Sequence, residues 1–207
     1  LMRLLTAPAS AEISVKNSRF LAEAFPVSAQ EVARAALKAK KEDHKDAAHV
    51  VHAFVIGPQA EILGSSDDGE PAGTAGRPSL EILKGSGITN IMVTVTRWFG
   101  GTLLGTGGLV KAYGDAVKAV LASVQTEELV AMRDFSFEIP YDLYERAKRL
   151  LAELDACVER EDFAVAISVS GTVRETAATT LVQGITELSA GRVSVTLSKE
   201  SRMGRKT

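Results

Sequence analysis

The sequence predicts an α+β protein in two domains, residues 1–126 and residues 127–207. Three observations carry that reading. Apolar periodicity switches repeatedly between the alternation of a strand and the three-to-four spacing of a helix. The second part follows a βαββαβ rhythm. In the first part, two glycine-rich runs bracket a single alternating strand.

In the first part Ile13–Val27 reads as extended, with Pro26 near its end. Ser28 is placed to cap a helix through about Lys41, with Val32, Ala35, Ala36 and Ala39 as its apolar stripe. His49–Ile56 is a strongly apolar strand, joined by the turn Gly57-Pro58-Gln59-Ala60 to a short partner, Glu61–Gly64. Pro78 suits the first turn of a short helix, Ser79–Gly85, where its missing N–H is not needed. Ile88–Arg97 alternates, with Ile91, Val93 and Val95 on one face and Met92, Thr94 and Thr96 on the other. A long helix starts near Thr106. It carries Leu109, Tyr113, Ala116, Val117, Val120 and Val124 on one stripe and Lys111, Asp115 and Lys118 on the other. Gln125–Glu128 reads as the linker.

The second part reads as strand Leu129–Ile139, a helix opened by Pro140 and running to about Leu154, and strand Ala156–Arg160. A tight turn at Glu161-Asp162, strand Phe163–Ser170, helix Val173–Leu188 and strand Arg192–Lys199 complete it. That order is the ferredoxin-like pattern, four antiparallel strands with both helices on one face. The tail SRMGRKT reads as frayed.

Composition limits the function classes. The chain has 45% hydrophobic and 24% charged residues, ordinary for a globular protein, and no apolar run long enough to span a bilayer. Its start, LMRLLTAPASAEISV, is a poor secretory signal, and the single Cys157 rules out an internal disulfide framework. The expected compartment is the cytoplasm. Residues 1–126 carry a net charge of +1 and residues 127–207 a net charge of −3. Neither part has the basic excess of a typical nucleic-acid binder.

Candidate binding residues cluster in the glycine runs. The first run, SDDGEPAGTAGRP, supplies Asp67, Asp68, Gly69, Glu70, Gly73, Thr74, Gly76 and Arg77. The second, RWFGGTLLGTGGL, supplies Arg97, Trp98, Phe99, Gly100, Gly101, Gly105, Gly107 and Gly108, with Lys111 about one turn into the following helix. A strand, a glycine loop and a helix N-terminus in succession expose backbone N–H groups at the positive end of a helix dipole. Arg97 and Lys111 are placed to add charge there. The run is neither a Walker loop nor a dinucleotide fingerprint. Alternatively, Gly107 and Gly108 serve close helix packing.

Asp67, Asp68 and Glu70 lack calcium-loop spacing and read as a solvated acidic turn. His49 and His52 point to opposite faces of a strand, which argues against a zinc site with His44. Cys157 reads as a small hydrophobe, and Ser65, Ser66 and Thr74 lack a nucleophile elbow. Trp98 and Phe99 offer stacking surface for a base, although packing under a loop is the commoner use of such a pair.

SDDGEPAGTAGRP, the strand ending VTRWFGG, LGTGGLVKAYGDAV, and HKDAAH from His44 to His49 closely resemble the signature of the YigZ/IMPACT family, in its bacterial two-domain form. The likeness covers roughly residues 17–122. It implies an N-terminal domain similar to domain IV of elongation factor G, a two-layer fold like part of a small-subunit ribosomal protein. It implies a C-terminal domain similar to that factor's domain V. Eukaryotic members regulate translation by competing for an activator of the initiation-factor kinase. This chain departs from the family in having Val51 in place of a common Cys, His52 in place of a frequent aromatic, and Trp98 in place of Tyr.

Together these readings point to a non-enzymatic binding protein that regulates translation through RNA or ribosome contact at the glycine loops, with Arg97, Lys111 and Arg77 as charge partners. A regulator that binds a protein of the translation machinery without touching RNA is the alternative, and the near-zero net charge favours it. An enzyme acting on a phosphate-containing small molecule is the second alternative, using Asp67, Asp68, Glu70 or His49. No catalytic set, metal site or cofactor is expected, and neither a membrane nor DNA is an expected partner.

Overall fold

The computed structural model describes residues 2–205, and the chain divides between Glu128 and Leu129 into two compact units. In the first, β1 (Arg3–Leu5), β2 (Ala9–Val15), β3 (Ser18–Pro26), α1 (Gln30–Asp43), β4 (His49–Ile56) and β5 (Ile62–Ser66) precede α2 (Gly76–Gly85). There follow β6 (Ile88–Thr89), β7 (Ile91–Trp98) and α3 (Gly105–Ser123).

Five strands form an antiparallel sheet in the order β2-β3-β7-β4-β5. β7 is central, opposite Arg19–Pro26 on one side and His49–Val55 on the other. Both of its alternating faces are therefore covered. Ile91, Val93 and Val95 join Phe20, Val51, Ala53 and the buried stripe of α3 in the main core. Met92 faces α1 with Val27, Ala33 and Ile56. Helices thus cover both sides of the sheet, one layer more than the two expected.

Several boundaries differ from the sequence reading for identifiable reasons. The extended stretch before α1 is a hairpin, turned at Lys16 and Asn17, which adopt φ of 45° and 65°. Asn tolerates that conformation, but no glycine marks it. Ser28 does not cap α1. Ala29 holds the N-cap position without a side-chain bond, one residue nearer the helix. The buried side of α1 is Ala33 with Ala36 and Leu37, while Val32 is exposed, so the stripe is one residue out of phase with the one expected. Gly76 rather than Ser79 opens α2. Gln125–Glu128 is not a linker: β8 starts at Thr126, and its first three residues pair with β1, which also pairs in parallel with β6. Leu5 on β1 is buried in the main core.

The second unit continues β8 (Thr126–Ile139) into α4 (Tyr141–Glu153), β9 (Cys157–Phe163), β10 (Ile167–Arg174), α5 (Glu175–Leu188), β11 (Thr196–Leu197) and β12 (Arg202–Arg205). Its antiparallel order β9-β10-β8-β11, with α4 and α5 packed over Phe135, Phe137, Ile139, Ile167 and Val169, is the predicted ferredoxin-like βαββαβ arrangement. Pro140 is the N-cap of α4.

Two corrections apply here. Glu161 and Asp162 lie inside β9, and the turn falls at Ala164–Ala166. β9 is an edge strand, exposed along almost its whole length and carrying Glu159, Arg160, Glu161 and Asp162. Charges of this kind protect an open edge from further pairing and resemble a turn in composition. The tail is not frayed as far as Arg205, because Arg202–Arg205 pair with Leu129–Met132, while the expected strand Arg192–Lys199 contracts to Thr196–Leu197. Lys206 and Thr207 lie outside the described residues. Among the described residues, no helix is long and apolar enough to cross a membrane.

Candidate functional site

The first glycine run folds back over the start of β4, held there by its carboxylates. Asp67 accepts hydrogen bonds from the backbone N–H groups of Gly73 (2.8 Å), Ala75 (3.0 Å) and Gly76 (2.8 Å), fixing the loop and the entrance to α2. Burial works to raise its carboxyl pKa, but these three bonds outweigh it and hold the group below the ordinary aspartate range. Asp68 accepts from the Val50 N–H at 2.7 Å and pairs with Lys41. Thr74 closes the turn by donating to the Pro71 carbonyl at 2.6 Å. Gly76 is required by space, since a Cβ there would lie 2.6 Å from the Ser66 carbonyl carbon. This acidic segment is a tied-down strap, not the solvated turn expected.

Glu70 turns inward. Its side chain is 3% exposed, and Oε1 accepts from Arg97 Nη1 at 2.6 Å and from the Tyr113 hydroxyl at 2.7 Å. Burial, then the bond to Glu70, raises the Tyr113 pKa far above its usual value, so the phenol stays protonated and donates. His49 Nδ1 lies 2.7 Å from the Asp68 carbonyl, which can only accept, so Nδ1 carries the proton. Its other nitrogen, Nε2, lies 3.9 Å from Glu70 Oε1. One charge network thus joins the first glycine run, β4, the end of β7 and α3.

The second glycine run leaves β7 with its two aromatics on different surfaces. Trp98 donates from Nε1 to Asp46 at 2.8 Å, lies under the Arg19 guanidinium at 3.9 Å, and meets His44 edge-on. Phe99 is 52% exposed and lies 5.6 Å from the Arg97 guanidinium. They form no shared stacking platform. Gly100 passes against the β2–β3 hairpin, where a Cβ would lie 2.0 Å from the Asn17 carbonyl carbon, and its N–H donates to Ser18. Gly101 and Gly107 are exposed, and Lys111 on α3 pairs with Asp115 at 2.7 Å.

Between the two runs lies a cleft of about 550 Å³. Gly69, Glu70 and Pro71 form one wall, Phe99 and Leu103–Thr106 the other, with Ala48, His49, Arg97 and Leu109 completing the lining. Of the predicted residues, Gly69, Glu70, Arg97, Phe99 and Gly105 meet there. Asp67, Asp68, Gly73, Thr74, Gly76, Arg77, Trp98, Gly100, Gly101, Gly107, Gly108 and Lys111 do not line it. Arg97 and Lys111, expected to add charge at the loop, each have a carboxylate partner. Reading the sequence for charge and glycine missed Leu103 and Leu104. An apolar pair inside a glycine loop was the available signal for them.

Residues 16–121 match the model of the Impact N-terminal domain, and residues 137–192 match a domain of unknown function, DUF1949. The chain is 38% identical over 159 residues to IMPACT family member YigZ of Escherichia coli (strain K12), covering 76% of this chain and 78% of that one. It is 39% identical over 102 residues to the Protein IMPACT homolog of Saccharomyces cerevisiae (strain ATCC 204508 / S288c), covering 47% of this chain and 39% of that one. A crystal structure of a hypothetical protein superposes with a TM-score of 0.64 at 32% identity, over 96% of this chain and 98% of that one. The domain that carries both glycine runs and the cleft between them is thus the one the IMPACT proteins share, and this chain belongs to the IMPACT family.

Proposed function

We propose that the chain is a cytoplasmic binding protein that regulates translation by docking a protein of the translation machinery in the cleft between its glycine runs. The translational role is what the resemblance to the IMPACT family implies, its eukaryotic members being read above as regulators of translation that compete for a protein activator. One observation carries the docking reading: Phe99 and Leu103, 52% and 82% exposed, stand beside a cleft whose nearby cations are already paired. Exposed aromatic and aliphatic groups beside a concave surface are the usual anchors of a protein contact.

RNA contact at the same loops has less support. Arg97 and Lys111 are matched by Glu70 and Asp115, leaving Arg77 as the cation of the predicted set without a carboxylate partner among the described residues. The open face of the second unit sets Arg160 and Arg192 against Glu138 and Asp162, without a patch of single sign. Phosphate binding needs an excess of cations and weakens steeply with salt.

The test is co-sedimentation with ribosomes and their associated factors across a salt series, comparing wild type with a Phe99→Ser/Leu103→Ser variant. Docking predicts association that persists as salt rises and falls at least tenfold in the variant. Association that collapses with salt and survives in the variant would instead assign the loops to RNA.

A further inference from the structure

The cleft contains an acceptor without a donor. His49 lines it beside Glu70 and Arg97, with 24% of its side chain exposed. Because the Asp68 carbonyl holds the proton on Nδ1, the neutral ring presents a lone pair at Nε2. Among the described residues no donor reaches that nitrogen. Its neighbour Glu70 Oε1, at 3.9 Å, is itself an acceptor and is already bonded to Arg97 and Tyr113. Unlike His52 Nδ1, it is not sealed from solvent. Phe99, Leu103, Leu104 and Leu109 give the rest of the lining an apolar character.

We infer that the cleft receives a tryptophan side chain of the docked protein, its ring against the apolar lining and its indole N–H donating to His49 Nε2. This rests on the reading of the cleft as the docking surface and names the residue that surface takes. Three requirements select the side chain. It must carry a donor on a large apolar body, to serve His49 and the leucines together. It must be neutral, because Glu70 and Arg97 already match each other. A lysine or arginine would sit beside the buried guanidinium, and a carboxylate beside Glu70, and like charges in contact oppose binding. It must bring no acceptor of its own, since an acceptor buried without a donor is costly. Tyrosine brings a hydroxyl oxygen, and glutamine and asparagine bring a carbonyl. Tryptophan has an N–H donor and no acceptor, and it is enriched among the residues that anchor protein contacts. A cleft of about 550 Å³ has room for an indole.

The test measures fluorescence anisotropy of a tagged glycine/serine peptide with one central residue varied, titrated with the full chain. That residue is tryptophan, 3-benzothienylalanine or alanine. The benzothienyl ring keeps the size and shape of indole and puts sulfur in place of the N–H. Wild type is compared with His49→Phe, which keeps a ring and removes the acceptor, and with Leu103→Ser, which removes apolar wall. Melting curves check that both variants fold. Proton–nitrogen correlation spectra of the wild-type imidazoles, recorded at mildly alkaline pH, follow Nε2 of His49 beside the other two histidines, His44 and His52.

The tryptophan peptide is expected to bind about fivefold tighter than the sulfur analogue, the weight of one neutral hydrogen bond. His49→Phe should erase that preference by weakening the tryptophan peptide alone. Leu103→Ser should weaken both peptides and keep it. The tryptophan peptide should move the His49 Nε2 resonance, and the analogue should leave it in place. Equal binding of the two, alanine binding as tightly, no binding at millimolar protein, a preference that survives His49→Phe, or an unmoved resonance would overturn the inference. Where His49→Phe fails to fold, the peptide preference and the wild-type resonance decide. If salt-resistant co-sedimentation still depends on Phe99 and Leu103 when the inference fails, the docking reading stands and the tryptophan assignment alone falls.

Discussion

At the residue scale, Glu70 is the group on which the site's shape depends. It is buried, and it accepts from both Arg97 and Tyr113, so its loss leaves a buried guanidinium without its counter-charge and a buried hydroxyl without an acceptor. Removing one member of a buried pair costs about 3–5 kcal/mol. Glu70→Ala is expected to lose stability on that scale in urea unfolding. Lys111→Ala breaks only an exposed pair with Asp115 and should cost less than about 0.5 kcal/mol. Equal effects of the two changes would contradict the buried network. The sequence located both residues and could not rank them. Arg97 ends a strand and Lys111 lies on a helix stripe, but burial is decided by Glu70, which approaches from a loop 27 positions earlier in the chain.

At the scale of elements, the two faces of the central sheet differ in quality. The face under α2 and α3 is packed with aliphatic residues and Tyr113. The face under α1 holds Met92 beside Thr94, Thr96 and His52, and the two threonine hydroxyls and His52 Nδ1 are buried without a hydrogen-bond partner among the described residues. Burial, then the nearby charge of Lys41, lowers the His52 pKa below 6.5. As pH falls through that value, the unfolded chain takes up the proton first, and folding loses stability over that window. His52→Phe, the aromatic type the family resemblance places there, should flatten the fall in melting temperature between about pH 7 and pH 5. It should also raise stability at neutral pH by about 1 kcal/mol by removing the unpaired nitrogen. An unchanged acid slope would contradict the assignment.

The same contrast explains what was legible in the sequence. α3 and α5 read clearly because a single buried stripe imposes a helical period on them, while β4 read as a continuous apolar run and β7 as an alternation of aliphatic with Met and Thr positions, although both of its faces are buried. β9 was read only as far as Arg160, and β12 and the parallel pair of β1 and β6 were not read, because edge strands and two- to four-residue pairings carry no burial period of their own. Both glycine runs were visible as a candidate site. The cleft between them was not, since it depends on the Asp67 and Asp68 bonds that fold one run over β4.

At the scale of the whole molecule, the net charge is −2, divided into +1 for residues 1–126 and −3 for residues 127–207. Electrostatic steering toward a polyanion is therefore weak, and the proposed docking rests on shape and apolar contact. The domain that matches the Impact N-terminal model is also the one whose two glycine runs wall the cleft. The central claim is that this cleft meets a protein of the translation machinery. Photo-cross-linking in living cells tests it most directly, with a benzophenone amino acid placed at Leu103 in one protein and at Val165 in another. Both positions are highly exposed, and Val165 lies on the turn after β9, in the other unit. A discrete cross-link to a translation protein from position 103 and none from position 165 is the predicted result. Cross-links to RNA alone, or the same products from both positions, would contradict the account.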